Sequence, residues 1–132
     1  MSNENNQYLE NLTKPMKTIL LVEDDSIISE LLIQMIIQET PYKVCSAPDA
    51  LAALELVKNI KPQLLILDYW LPLIQGIELY DRLHNTEGLE EVPAIMLSVN
   101  APLREINQRD LTYIRKPFDM PKLLDTIHRL IV

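Results

Sequence analysis

Five residues of this chain combine groups that can hold a cation with groups that can bind a phosphate. Glu23 and Asp24, then Asp68, Ser98 and Lys116, lie at or just beyond the ends of short runs predicted to be strands. Three carboxylates brought together repel one another unless a cation lies between them. Magnesium prefers such oxygen ligands, together with waters and a phosphate. A lysine and a hydroxyl are then suitable donors for the remaining phosphoryl oxygens.

The run before Asp68 indicates how these groups are positioned. Residues 64–67 are four aliphatic residues without polar alternation, a pattern typical of a parallel strand covered on both faces. An acid at the end of such a strand lies at the carboxyl edge of the sheet, where open α/β folds bind ligands. Pro72 and Gly76 then turn the chain, and a helix is predicted from Ile77.

Apolar runs alternate with helical patterns along the rest of the chain. The other predicted strands are residues 18–22, 43–45, 93–97 and 112–115. Ser26 is predicted to cap the first helix, and residues 46–49 resemble a capping box for the second. The last helix is predicted from about Asp119.

The fourth predicted helix has little room. Only seventeen residues separate Ser98 from Lys116, and they must hold a helix, a loop and the fifth strand. This helix, predicted over residues 102–109, must therefore be short or irregular. Five βα units of this kind imply an α/β fold with a doubly wound, five-stranded parallel sheet. If the strand order is 2-1-3-4-5, strands one and three are neighbours and end at the topological switch point.

Length and composition restrict the possible functions. The 132 residues suit one domain, predicted over 17–132, after a polar lead-in over 1–16 that we predict to be disordered. The net charge of −7 argues against direct nucleic-acid binding. Cys45 cannot form an internal disulfide, so we predict a small core residue in a reducing compartment.

The sequence carries no recognisable targeting segment. The lead-in lacks the apolar core of a signal peptide and the arginines of a transit peptide, and no apolar run approaches the roughly 20 residues that span a bilayer. We therefore expect a cytoplasmic protein without membrane association. A stand-alone protein and a fragment of a longer one both remain open, although the Met-Ser start favours a natural beginning.

As a set, these motifs resemble the receiver domain of two-component response regulators. The resemblance covers about residues 16–132 and lies in residues 19–25, 67–72 with Gly76, 97–98 and 116–118. It implies a flavodoxin-like fold in which Asp68 is the phosphoacceptor. It also implies that Mg²⁺ or Mn²⁺ is held by Asp24, Asp68 and the backbone carbonyl of Trp70, with Glu23 as a further ligand acting directly or through water.

The resemblance also assigns the groups that respond to the phosphate. Lys116 would bridge the phosphoryl group, Ser98 and Tyr113 would form the switch pair, and the bond between Lys116 and Pro117 would be cis. The phosphoryl donor would be a sensor histidine kinase or a histidine phosphotransfer protein. The chain would act as a stoichiometric phosphoacceptor rather than an enzyme, and an unidentified downstream protein would recognise the surface formed by the fourth helix, fifth strand and fifth helix.

Several alternative functions are less consistent with these residues. A haloacid-dehalogenase-type phosphatase needs a second acid two residues after the first, where this chain has Trp70. A nucleotide-binding loop needs more glycines than Gly76 and Gly88. His84 and His128 lie in helical patterns, which argues against a histidine-based hydrolase. A receiver-like interaction module that works without phosphorylation stays open, since a bulky Val99 after the switch hydroxyl narrows access to the acceptor.

Overall fold

The computed structural model describes residues 16–131, which form a parallel sheet with helices on both faces. The strands are β1 Thr18–Val22, β2 Lys43–Ala47, β3 Leu64–Leu67, β4 Ala94–Ser98 and β5 Thr112–Arg115. The helices are α1 Ser26–Glu39, α2 Ala50–Leu56, α3 Gly76–His84, α4 Leu103–Asn107 and α5 Met120–Leu130. All neighbouring strands are parallel, in the order β2-β1-β3-β4-β5, which confirms the predicted fold.

The register of the strands brings the polar positions to one edge. Val22 of β1 lies opposite Leu67 of β3, so Glu23 and Asp68 leave the sheet side by side. The Asp68 N–H donates to the Val22 carbonyl at 3.0 Å and continues the ladder by one residue. Farther along, the Lys116 N–H donates to the Ser98 carbonyl at 2.9 Å, just beyond the end of the β4–β5 pairing.

The two faces of the sheet pack against different helices. Alternate side chains of the central strands pack with α2, α3 and α4 on one face and with α1 and α5 on the other. Because β1, β3 and β4 are covered on both sides, residues 64–67 are fully buried, as their unbroken apolar pattern predicted. This double layer fixes the carboxyl edge on which the polar residues lie.

Two predicted helix starts were wrong in detail. Asp25, and not Ser26, caps α1, since its Oδ1 accepts the N–H groups of Ile27 at 2.9 Å and Ile28 at 3.2 Å. The capping box over residues 46–49 does not form, because β2 continues to Ala47 in pairing with β1. Asp49 alone caps α2, through the Ala52 N–H at 2.8 Å. Because it pairs with β1, β2 extends to Ala47 and not only over the predicted residues 43–45.

Other predictions concern burial and backbone geometry. Cys45 is only half-buried, not a core residue, because β2 is an edge strand. The fourth helix is short and the Lys116–Pro117 bond is cis, which confirms both predictions. Within residues 16–131, no helix is long and apolar enough to cross a membrane. The lead-in that we predict to be disordered covers residues 1–16, and of these residues 1–15 lie outside the described part of the chain.

Candidate functional site

Three carboxylates meet at the carboxyl ends of β1 and β3. One oxygen from each of Glu23, Asp24 and Asp68 lies within 4.8 Å of the other two. Glu23 and Asp68 are 4% and 8% exposed, whereas Asp24 faces solvent. An acidic cluster open on one side is suited to a hard cation that keeps some of its waters. The cluster could therefore hold a metal ion, and all three acids are those predicted from the sequence.

Lys116, which follows the edge strand β5, adds a positive charge to this cluster. Its Nζ lies 2.6 Å from Glu23 Oε1 and 3.1 Å from Asp68 Oδ2. The lysine is 93 residues from Glu23 and 48 from Asp68 in sequence, so only the fold brings them together. Because the cluster contains three carboxyl groups and only one ammonium group, it has a negative net charge when the acids are ionised.

Burial and hydrogen bonds shift the pKa values of Glu23 and Lys116 in this cluster. Burial raises the pKa of the Glu23 carboxyl from 4.5 to about 7, against the lowering effect of hydrogen bonds from Lys116 and the Asp25 N–H. Burial disfavours the charged ammonium group of Lys116, but the hydrogen bond to Glu23 and the charge of Asp68 outweigh it and raise the lysine's pKa. The lysine therefore stays charged, while burial favours the protonated form of the Glu23 carboxyl.

Backbone N–H groups orient two of the acids. The Trp70 N–H donates to Asp68 Oδ1 at 3.0 Å, and the Asp25 N–H donates to Glu23 Oε2 at 3.2 Å. The Trp70 side chain, in the loop between β3 and α3, is 49% exposed. The structure thus places the Trp70 backbone next to Asp68, while a metal-binding role for its carbonyl stays a prediction.

Ser98 presents a hydroxyl group that lacks a protein partner within the described residues. The side chain is fully buried at the end of β4, and its Oγ has no hydrogen-bond partner there. A buried hydroxyl without a partner is unfavourable by about 1–3 kcal/mol. Because β4 is next to β3, an incoming group with oxygen acceptors at this edge would relieve that cost.

Tyr113 contacts the loop after β4 and not the acids. Its hydroxyl lies 3.1 Å from the Ser98 carbonyl and 3.4 Å from the Val99 carbonyl, and it accepts the Ala101 N–H at 3.3 Å. Tyr113 therefore holds the segment that carries Ser98. This is a position from which a change at Ser98 can reach β5, but a switching role is still a prediction.

Two polar links near the site were not predicted from the sequence. Tyr69, directly after Asp68, donates its hydroxyl to Glu105 Oε2 of α4 at 2.7 Å. Arg109 makes two hydrogen bonds to the Asp81 carboxylate of α3, at 2.8 and 2.7 Å. The partners are 36 and 28 residues apart, and no spacing motif connects them.

The family model described as the response regulator receiver domain matches residues 19–128. This chain belongs to the response regulator receiver domain family. Receiver domains in general bind Mg²⁺ and interact with histidine kinases or phosphotransfer proteins. The acidic cluster and the strand order of this receiver domain are consistent with that membership.

Curated relatives include proteins of two lengths. The DNA-binding dual master transcriptional regulator RpaA of Synechocystis is 28% identical over 120 residues, which are 88% of this chain and 49% of RpaA. The polar-differentiation response regulator DivK of Brucella anthropi is 28% identical over 115 residues, which are 84% of this chain and 93% of DivK. The receiver domain thus spans about half the length of the first relatives and nearly all of DivK.

Solved structures show the same fold. A CheY-like receiver domain protein from Methanospirillum hungatei JF-1 is 30% identical, with a TM-score of 0.78 over 87% of this chain and 93% of that one. The chemotaxis protein CheY4 of Vibrio cholerae is 24% identical, with a TM-score of 0.80 over 88% of this chain and 99% of that one. The similarity to CheY4 concerns the fold alone.

Proposed function

We propose that this receiver domain is a phosphoacceptor switch that takes a phosphoryl group onto Asp68 from a sensor histidine kinase or a histidine phosphotransfer protein. It is modified stoichiometrically and assists its own phosphorylation and dephosphorylation. The observation that carries the proposal is the contact of Lys116 Nζ with Asp68 Oδ2 beside the acidic cluster. A carboxylate at the end of a strand, a lysine in contact with it and a cation site are the groups that phosphoryl transfer to an aspartate requires.

The chemistry follows from the contacts of Asp68. One carboxylate oxygen attacks the phosphorus of a phosphohistidine in line, an O–P bond forms, and the N–P bond breaks with its electron pair going to the imidazole. Lys116 stabilises the negative charge on the phosphoryl oxygens, while the Trp70 N–H holds the other Asp68 oxygen in position. Mg²⁺ or Mn²⁺, held by Glu23, Asp24, Asp68 and the Trp70 carbonyl, would supply further positive charge there.

The response begins at the hydroxyl group of Ser98. New phosphoryl oxygens offer this hydroxyl the acceptor that it lacks within the described residues. Movement of Ser98 loosens the contacts of Tyr113 with the same loop, which biases α4, β5 and α5 towards a second arrangement recognised by a downstream protein. Couplings of this kind are typically about 1–3 kcal/mol, or roughly a 5- to 150-fold shift in population.

Intact mass measurement tests the proposal. With magnesium and acetyl phosphate, we expect the protein to gain one phosphoryl group and Asp68→Asn to gain none. Asp125→Asn is the matched control, since this exposed aspartate lies on α5 and should leave the gain unchanged. Loss of the gain in both variants would contradict the assignment of Asp68.

The second candidate is an interaction module that works without phosphorylation. It is favoured by two exposed apolar side chains in the loops after β3 and β4, Trp70 and Val99, which are 49% and 50% exposed. No mass gain with several phosphodonors and a cognate kinase would support this alternative and overturn the first proposal.

A further inference from the structure

The helix α4 is held in place mainly by polar side chains. It has only five residues, and Ile106 is its one buried side chain, while Leu103 is 61% exposed. A helix this short with one buried residue has little apolar packing to fix its position. Its attachment therefore depends on the directional hydrogen bonds that reach it from neighbouring elements.

One of these bonds comes from the residue beside the phosphoacceptor. The Tyr69 ring is 3% exposed, and its hydroxyl donates to Glu105 Oε2 at 2.7 Å. Burial and the hydrogen bond to Glu105 raise the pKa of Tyr69 to about 12, so the phenol remains a neutral donor. The Tyr69 backbone is also anchored, since its carbonyl accepts the Gly76 N–H at 2.7 Å.

Arg109 attaches the other end of α4 to α3. Besides its two bonds to Asp81, its Nη1 donates to the Glu105 carbonyl at 2.7 Å. This arginine is just beyond the last residue of α4, and its side chain is 24% exposed. It closes a chain of polar contacts from α3 through Glu105 to Tyr69.

The loop that carries Ser98 leads directly into α4. Pro102, the N-cap of this helix, follows the segment held by the Tyr113 hydroxyl. A displacement of this loop towards Asp68 would therefore move Glu105 relative to the anchored Tyr69. Hydrogen bonds weaken steeply with distance and misalignment, so such a displacement would break the link.

We propose that Tyr69 and Glu105 form a clamp that holds α4 in the unphosphorylated protein and opens when Asp68 is phosphorylated. Tyr69 is thus a positioning residue that opposes the switch and does not contribute to phosphoryl transfer. The opening step rests on the proposed function.

Hydrogen–deuterium exchange of the α4 amides tests the clamp. Tyr69→Phe removes only the hydroxyl group, and Glu105→Ala removes its acceptor. In the unphosphorylated protein, we expect each variant to raise exchange over residues 103–109 roughly 3- to 10-fold, the range that one net hydrogen bond supports. The double variant should match either single variant, because both remove the same bond.

The phosphorylated protein tests the opening step. After treatment with magnesium and acetyl phosphate, Tyr69→Phe should still gain one phosphoryl group, and its α4 should exchange as fast as that of the phosphorylated wild type. Tyr42→Phe is the matched control, because it removes a phenol hydroxyl on the connection between α1 and β2 and should change neither measurement.

Three results would overturn the proposal in different ways. Unchanged α4 exchange in the unphosphorylated variants would show that the clamp is absent. An equal rise in both phosphorylation states would show that the bond persists and is not part of the switch. No phosphoryl gain in the wild type would overturn the proposed function and the opening step, while the unphosphorylated comparison would still decide whether Tyr69 holds α4.

Discussion

At the scale of single residues, the site is defined by an imbalance between three carboxylates and one ammonium group. Lys116 contacts Glu23 and Asp68, while Asp24 remains exposed beside them. An ion pair this buried contributes little net stability, because desolvation offsets much of the attraction. The arrangement therefore places charge around Asp68 more than it stabilises the fold.

The raised pKa of Glu23 predicts a pH dependence of stability in the absence of metal. Because this pKa is about 7 in the folded protein and near 4.5 when unfolded, the folded state binds more protons between these values. The contribution of Glu23 to the free energy of unfolding is then fully present below pH 4.5 and is lost as the pH rises towards 7. Urea unfolding at several pH values, in the presence of a chelator, measures this contribution.

Glu23→Gln provides the comparison for this measurement. The glutamine cannot titrate. As the pH rises from 4.5 to 7, the free energy of unfolding of the variant should therefore increase relative to that of the wild type. Asp125→Asn, at an exposed position on α5, controls for the loss of a charge. A difference that stays constant across this range would contradict the assigned protonation of Glu23.

At the scale of elements, α3 begins in direct contact with the end of β3, at Asp68. A Cβ added to Gly76 would lie 2.0 Å from the Asp68 backbone oxygen, far inside van der Waals contact. The glycine is thus required by the close approach of two backbones. The Gly76 N–H also donates to the Tyr69 carbonyl, which ties the helix start to the loop that follows Asp68.

Gly76→Ala should therefore affect both stability and phosphorylation. We expect the free energy of unfolding to fall by about 1–3 kcal/mol, as for overpacked sites, and phosphorylation by acetyl phosphate to slow because the Asp68 loop is displaced. Urea unfolding and intact mass against time measure the two effects.

Gly88→Ala is the control for this substitution. Gly88 has a φ of +91°, and its added Cβ would meet only the flexible end of Lys61, at 3.3 Å. It should lose about 1 kcal/mol through backbone strain and leave phosphorylation unchanged. Equal phosphorylation rates in the two glycine variants would show that the start of α3 does not position Asp68.

At the scale of the whole molecule, the acidic cluster links metal binding to folding. A ligand that binds only the folded state stabilises it by RT ln(1 + [L]/Kd), or about 1.4 kcal/mol at ten times Kd. Magnesium should therefore raise the melting temperature, and Asp24→Asn should abolish most of this rise. Asp68→Asn should raise the melting temperature without metal, because it removes one of the three crowded charges.

Calorimetry with and without magnesium measures these shifts. Asp119→Asn is the control, because this exposed aspartate lies at the start of α5 and outside the cluster. Equal melting of the wild type in magnesium and in chelator would show that the cluster does not bind the metal at the concentrations used.

The sequence by itself determined the five strands in their βα alternation and the polar residues at the ends of four of them, and the structure shows the strand order that was predicted. These features are local, since a strand signal and the residue after it are adjacent in the chain. Parallel pairing then requires the strand ends to share one edge, which is why Glu23, Asp68 and Lys116 could be grouped before their contacts were known.

Only the tertiary structure decided the contacts between distant side chains and the extent of burial. The link from Tyr69 to Glu105 depends on where a five-residue helix lies, and Cys45 is half-buried because β2 has a neighbour on one side only. The unpartnered hydroxyl of Ser98 likewise appears only when all surrounding groups are in place. Such features depend on distances between elements, which the order of residues along the chain does not encode locally.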